Sequence, residues 1–486
     1  MTSPCCNATA HGPLRVGILG GGVAGATVAL RLADLGIDSL LLEASDGLVK
    51  GPPICHLHAG GNLYREIGDD QCLALLRQSI ASVRAYPHCI NRRPTVVAVP
   101  VTDAGDPRAL LPRLALLAEE YRRLVAQDPA NRVLGEPEDY YRCYDRAQFE
   151  ALARRPLPER AQRPDDWLVP LAQRLDPDRL KFPLVLVQEY GWSLFRMAAT
   201  ATLALTASPH CELRLNTKAT ELAPVEGGWR IKSQGPAGER QDEVDFLVNA
   251  CGFRTGLVDD MAGYRRQRLV EYKAAYLARW PVSGQWPEVI FHGERGTPDG
   301  MAQLTPYPGG LFQLHGMTDA ITLFKDGLVA SSADSAQPRL PEHYRRQIDQ
   351  GWQAEDVDAR TRGAIAHLAR LLPAFAGAEP AGQPLFGAQQ IPGSDPKLRA
   401  ADVSFEGSHY ARVEIVKASS ALTAADRIVG KLAELGWLGQ SAASRPPALS
   451  PTLAITADQD PAKVEATAVH LARQRGYPQE LARKLG

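Results

Sequence analysis

Residues 14–45 read LRVGILGGGVAGATVALRLADLGIDSLLLEAS, and no other stretch limits the possible folds as tightly. Leu14 to Leu19 is a short apolar run of the kind a buried parallel strand needs. Gly20-x-Gly22-x-x-Gly25 follows at once and opens a segment in which Val28, Leu32 and Leu35 recur at helical spacing, ended by Gly36. A second apolar run, Ile37 to Leu42, finishes at Glu43. Together these predict a βαβ unit that binds a dinucleotide. Gly20 permits the tight turn, Gly22 lets the backbone approach a pyrophosphate, and Gly25 lets helix and strand pack closely. The helix N-terminus offers unpaired N–H groups and a positive dipole end to phosphate. Glu43, 23 residues beyond Gly20, stands where a carboxylate accepts hydrogen bonds from a ribose diol. The fingerprint serves NAD and FAD alike and does not choose between them.

Composition excludes several classes. The 486 residues carry a formal net charge of −1, without the basic excess of a nucleic-acid surface. With 45% hydrophobic and 22% charged residues, the chain matches soluble globular proteins. No run reaches the ~18 apolar residues of a membrane span, and MTSPCCNATAHGPLR lacks the pattern of a signal peptide. The expectation is a cytoplasmic protein with no integral membrane segment, contact with a membrane surface being left open. The eight cysteines form no CxxC pair and read as small reduced residues. Cys5-Cys6 with His11 is a weak metal candidate against an inert terminus.

Further along, Asp69 to Tyr86 reads as a helix and Thr95 to Val101 as a strand, while residues 107–170 read as a mainly helical insertion. A short strand precedes a helix from about Trp192. The stretch 211–234 is β-structure with a hairpin turn at Gly227-Gly228, and Phe246 to Asn249 is a buried strand running into Ala250-Cys251-Gly252. Residues 266–385 read as strands of an antiparallel sheet. A long helix follows Lys417-Ala418-Ser419-Ser420, then a Pro- and Ser-rich linker and a charged helical tail, 462–485.

This order of elements resembles the D-amino-acid oxidase-like superfamily of FAD-dependent oxidoreductases. The match rests on GxGxxG…Glu43, on LVNACGFRTG (247–256) and on the last long helix. HAGGNLY (58–64) is similar to a segment of L-2-hydroxyglutarate dehydrogenases and, more loosely, of malate:quinone oxidoreductases; VKASSAL is similar to the turn that ends the latter family. Tyr410-Ala411-Arg412 stands roughly where amine oxidases carry Gly-His-x-Gly. The resemblance implies an α/β fold: a Rossmann-like FAD-binding domain, discontinuous in sequence (14–95, 171–265 and 385–440), plus an α+β substrate domain with an antiparallel sheet (266–384) and a helical insertion (96–170). Residues 441–486 are the linker and tail. It implies FAD contacts at Gly20, Gly22, Gly25, Glu43, His58, Ala59, Gly60, Ala219, Ala250, Gly252, Lys417 and Ser419. Cys251 takes a place more often held by Ala or Thr. His56 and His58 then belong to a loop beside the isoalloxazine ring, with His58 as hydrogen-bond donor or covalent attachment point. Zinc needs three or four convergent ligands, which no second cluster supplies, so no metal is expected.

Hydride chemistry belongs to the flavin, and the protein supplies position and charge. Lys417, before the last long helix, is a candidate to stabilise the reduced ring. His292 and His315 are candidate bases because imidazole titrates near neutrality. Tyr272, Tyr276 and Tyr307 are candidate pocket walls, and Arg254, Arg295, Arg399 and Arg412 candidate carboxylate clamps. The alternation Gln303-x-Thr305-x-Tyr307 and Gln313-x-His315 puts polar residues on one sheet face, more often a face toward water than a binding face. The leading expectation is oxidation of a C–H next to a hydroxyl or amine on a small, carboxylate-bearing substrate, with O2, a quinone or a carrier protein as acceptor. Alternatives are a flavin monooxygenase or halogenase using a reduced nicotinamide, and a non-catalytic flavoprotein. The tail is a candidate for oligomerisation or partner docking.

Overall fold

A computed structural model describes residues 14–54, 57, 65, 67–438 and 451–485. The expected βαβ unit is present: strand β1 (Arg15–Leu19), helix α1 (Val23–Asp34) and strand β2 (Asp38–Leu42). β1 lies between β2 and Phe246–Asn249, both parallel to it, and Cys211–Arg214 and Tyr410–Val413 extend the parallel array. An antiparallel strand, Val403–Glu406, completes a six-stranded sheet. Val16, Ile18, Leu40, Leu41, Phe246, Leu247 and Val248 are fully buried, as expected of parallel strands covered on both faces.

α1 packs on the long helix Ala421–Glu434, where Ala26, Ala29, Ala424 and Ala425 let the backbones approach. Arg31 Nε pairs with Asp426 at 2.7 Å inside that contact. A three-stranded antiparallel sheet (218–225, 228–235, 238–244) rests on this layer, and Gly227 makes its first turn at φ +78°.

The second sheet has ten strands, built along Arg268–Arg279 and antiparallel except where Glu288–Phe291 runs parallel to Thr95–Pro100. It draws on segments distant in sequence, including Leu180–Val187 and Tyr141–Tyr144. Its polar face is not turned to water: Gln303, Thr305, Gln313 and His315 are all buried. Gln303 Nε2 and Thr305 Oγ1 donate to Glu288, whose carboxylate pairs with buried Arg93 at 2.7 Å. The alternation read from sequence is real, but the polar side is buried and bonded to Glu288 on the neighbouring strand.

The tail helix Pro461–Gln474 packs on Leu194–Ala207 and buries Val464, Ala468 and Ala472. Beyond it, Ser193 Oγ and Arg196 Nη1 donate to the carbonyls of Leu481 and Ala482. One face of the charged tail is thus packed within the chain.

The two large sheets meet at Asp259. Arg268, at the start of the long strand, and Arg412, in the first sheet, both donate to its carboxylate, with Arg412 Nε at 2.6 Å. Tyr410 OH donates to the same group at 2.7 Å and accepts from Asn249 Nδ2 at 2.9 Å. Both guanidiniums and the carboxylate are buried, so each needs the other's charge. Asp259→Asn removes the carboxylate that both buried guanidiniums share and leaves them only Glu414, 3.5 Å from Arg268, and Glu406, 3.0 Å from Arg412. The expected cost is about 3–5 kcal/mol of stability, read by chemical denaturation; a loss below about 1 kcal/mol would mean the network carries no such weight.

Candidate functional site

The glycine turn has the geometry a dinucleotide needs. Gly20 sits at φ +96° and donates to Leu42 O at 2.8 Å. A Cβ on Gly25 would lie 1.8 Å from Gly20 O, so only glycine allows α1 to start so close to β1. A Cβ on Gly22, the residue capping α1, would meet nothing within 4 Å. The turn is therefore crowded toward the sheet and open toward the outside. α1 begins without a side-chain cap and without an acid in its first turn, which keeps its N–H groups available to an anion.

Glu43 closes β2. Its Oε2 accepts from Gly21 N at 2.6 Å and its Oε1 from Ser45 N and Oγ at 2.7 Å each, which aims the carboxylate at the glycine turn. Ala250 follows the neighbouring strand, its N–H bonded to Leu19 O at 2.9 Å. Gly252 has φ +58°. The Cys251 thiol donates to Leu19 O at 3.3 Å, and burial raises it to about 12, so it is an inert small residue. Ala219 lies in the strand Lys218–Val225 opposite Ser233. Ser419 is buried, and its Oγ has no hydrogen-bond partner among the described residues. An open glycine turn, an uncapped helix, a terminal acid and an unpaired buried hydroxyl together fit FAD. His58, Ala59 and Gly60, like His56 and the Cys5-Cys6 pair, lie outside the described residues.

A cavity of about 840 Å³ opens beside this layer, between the long strand of the second sheet, the segment 292–301 and the approach to Ala421–Glu434. Lys273, Arg295, Arg399 and Lys417 are on its wall. Lys273 Nζ pairs with Glu271 at 2.5 Å and donates to Gln389 at 3.1 Å; Arg295 pairs with the same Glu271. Burial lowers Lys273 to about 8, with Arg295 and Arg399 adding to the effect and Glu271 opposing it. Burial also lowers Lys417 well below its ordinary value, reinforced by Arg399 and Lys273. Arg399 Nη1 donates to the carbonyls of Pro396 and Leu398, which holds its guanidinium on the wall.

His292 lines the cavity, with Arg65 Nη2 at 2.6 Å from its Nδ1. His315 does not; it is buried, with Gln313 Nε2 at 3.5 Å. Of the four candidate clamps, Arg295 and Arg399 reach the cavity. Arg254 instead pairs with Asp349 at the surface, and Arg412 belongs to the Asp259 network. Tyr272 and Tyr276 are core, bonded to Gln347 and Ile321 O, and Tyr307 faces Gln313. None of the three tyrosines lines the cavity. Lys273 was missed, although a lysine two residues after a glutamate inside an apolar strand is a legible sign of a buried pair. Among the described residues no three His, Cys, Asp or Glu side chains gather as for a metal ion, and no helix is long and apolar enough to cross a membrane.

A family model described as FAD dependent oxidoreductase (DAO) matches residues 15–400. No curated protein sequence matches the chain. Solved structures do. L-amino acid deaminase from Proteus vulgaris aligns with TM-score 0.55 at 13% identity, over 91% of this chain and 98% of its own. Glycine oxidase from Geobacillus kaustophilus aligns with TM-score 0.54 at 14% identity, over 87% and 95%. L-proline dehydrogenase from P. horikoshii aligns with TM-score 0.53 at 13% identity, over 90% and 97%. At these identities the likeness is one of fold.

Gly25→Ala forces α1 off β1 and displaces the N–H groups that face the turn. Purified variant protein is expected to carry less than a tenth of the wild-type flavin by absorbance at 450 nm, and retention of a full complement would refute this reading of the turn.

Proposed function

The chain belongs to the DAO family of FAD-dependent oxidoreductases, and from that premise we propose that it oxidises a C–H bond next to an amine or hydroxyl on a small carboxylate-bearing substrate. The observation that carries this reading is the position of Lys417. It lies on the cavity wall and also heads the turn, Lys417-Ala418-Ser419, whose buried hydroxyl fits the cofactor.

FAD, held by these residues, would supply the two-electron acceptor. The N–H groups of α1 and the Glu43 carboxylate would hold its pyrophosphate and ribose, and Ser419 and Lys417 its ring end. The Lys417 amine would offer N–H donors where negative charge develops on reduction. Arg399, fixed by its own loop carbonyls, would take the substrate carboxylate through two parallel N–H groups. Arg295 is a weaker candidate for that task because Glu271 already engages it. His292 is better suited to donating than to accepting a proton. Arg65 can only donate, so Nδ1 is the acceptor in that contact and Nε2 carries the hydrogen.

The test begins with the visible spectrum of the holoenzyme, followed by anaerobic titration with 2-amino and 2-hydroxy acids. Bleaching at 450 nm by a member of either set is expected; none with any of them would defeat the proposed substrate class. With the bleaching substrate in hand, Arg399→Ala should raise KM roughly 100-fold, equivalent to about 3 kcal/mol, at unchanged flavin content. A change below threefold would remove Arg399 from the carboxylate site.

A further inference from the structure

We propose that Lys273 is the base that receives the substrate's N–H or O–H proton. The inference rests on the substrate class just proposed, and it replaces the histidines considered from sequence. His315 is off the cavity wall. A proton added to His292 would have to enter at Nδ1, against the Arg65 guanidinium 2.6 Å away. Guanidinium groups do not release protons near neutrality, which removes Arg295 and Arg399. Three lysines remain on the wall, and Lys397 is exposed to water, which leaves Lys273 and Lys417 as buried candidates.

Their surroundings differ. Lys273 is presented by the rigid long strand, with its side chain about one-fifth exposed (19%). Glu271, two residues earlier on the same face, lies 2.5 Å from Nζ and stabilises the ammonium that proton uptake creates. Gln389 Oε1, from the paired strand, accepts a second Nζ hydrogen at 3.1 Å. Arg295 from the loop after Glu288–Phe291 and Arg399 from the loop before Val403–Glu406 crowd the same group with positive charge and, with burial, favour the neutral amine. The neutral amine is thus favoured by burial and two cations, and its conjugate acid has a carboxylate in contact. That balance holds Lys273 near 8, close to the working pH of a general base. Lys417 instead heads the turn assigned above to the ring end of the cofactor, which leaves Lys273, with Glu271 in contact, for the substrate proton.

The step balances. From a 2-hydroxy acid, the O–H proton goes to Lys273 Nζ, the C–H electron pair leaves as hydride to the oxidant that FAD supplies, and the C–O bond becomes C=O. From a 2-amino acid, the ammonium gives one proton to Nζ, and the same hydride loss leaves an iminium. In each case the substrate loses two electrons and Glu271 faces a new ammonium.

Two measurements test the assignment. The rate of anaerobic flavin reduction in wild-type enzyme is expected to rise about tenfold per pH unit below pH 8 and to level off above it, because only neutral Lys273 is competent. Lys273→Met and Lys273→Arg should both retain flavin and lose roughly 100- to 10,000-fold in that rate. Arginine keeps the charge and cannot take the proton, so a near-wild-type Lys273→Arg overturns the proposal and leaves Lys273 an anion-binding cation. The second measurement needs no turnover: carbamylation by cyanate in flavin-free protein, read lysine by lysine by mass spectrometry. Lys273 should react with a midpoint near pH 8 while surface lysines titrate near 10, and a Lys273 that titrates with the surface set overturns it equally. If Lys273 labels as expected but no 2-amino or 2-hydroxy acid bleaches the flavin, the substrate class falls and takes the base assignment with it. Bleaching with a fast Lys273→Arg removes the base alone.

Discussion

One carboxylate, Asp259, stands between two buried guanidiniums, and the relation of the two sheets depends on it. Arg268 begins the long strand that carries Lys273 and Glu271; Arg412 lies in the strand next to Phe246–Asn249. Through Tyr410 and Asn249 the same network reaches the end of the strand beside β1, where the cofactor turn lies. A shift at Asp259 would therefore move the cavity wall relative to the dinucleotide cradle. Buried charge is expensive, and it persists here because both guanidiniums reach the one carboxylate to which Tyr410 also donates, with Glu414 and Glu406 as further counterions.

The cavity shows a second use of buried charge, with a different balance. Lys273, Arg295, Arg399 and Lys417 converge on one wall, where Lys273 and Arg295 share the Glu271 carboxylate. The chain as a whole is near neutral at −1, so this is a local arrangement and not a property of the surface. Such a site suits an anionic substrate and a cofactor that gains negative charge on reduction. It also makes lysine differ from arginine: where cations crowd, the residue able to shed a proton does so.

Much of the cofactor cradle was legible in sequence because its constraints are local. Gly20, Gly22 and Gly25 are required by backbone approach within one turn, and Glu43 by the length of a single βαβ unit. The boundaries of α1 and of Phe246–Asn249 followed from periodicity and glycine punctuation for the same reason. The cavity was only partly readable. Arg399 and Arg295 were named beside Arg254 and Arg412, and nothing in their sequence neighbourhoods separates the four. What separates them is whether Asp259 or Asp349 happens to lie opposite. The polar stripe on Ala302–Tyr307 and Leu311–Gly316 was visible as alternation, but alternation does not say what covers a face. Glu288 on the adjacent strand accepts from it, and Arg93, from far earlier in the chain, neutralises that carboxylate.

Sequence by itself therefore determined the dinucleotide-binding βαβ unit, since steric limits on glycine and the 3.6-residue helical period act over a few residues. Tertiary structure alone decided which charges share the cavity. Electrostatic character there depends on distances between side chains from strands and loops more than a hundred residues apart, and no local pattern encodes them. Lys273 and Lys417 are ordinary lysines in the sequence. Their distinct chemistry arises only when burial removes water and folding brings Glu271, Arg295 and Arg399 around them.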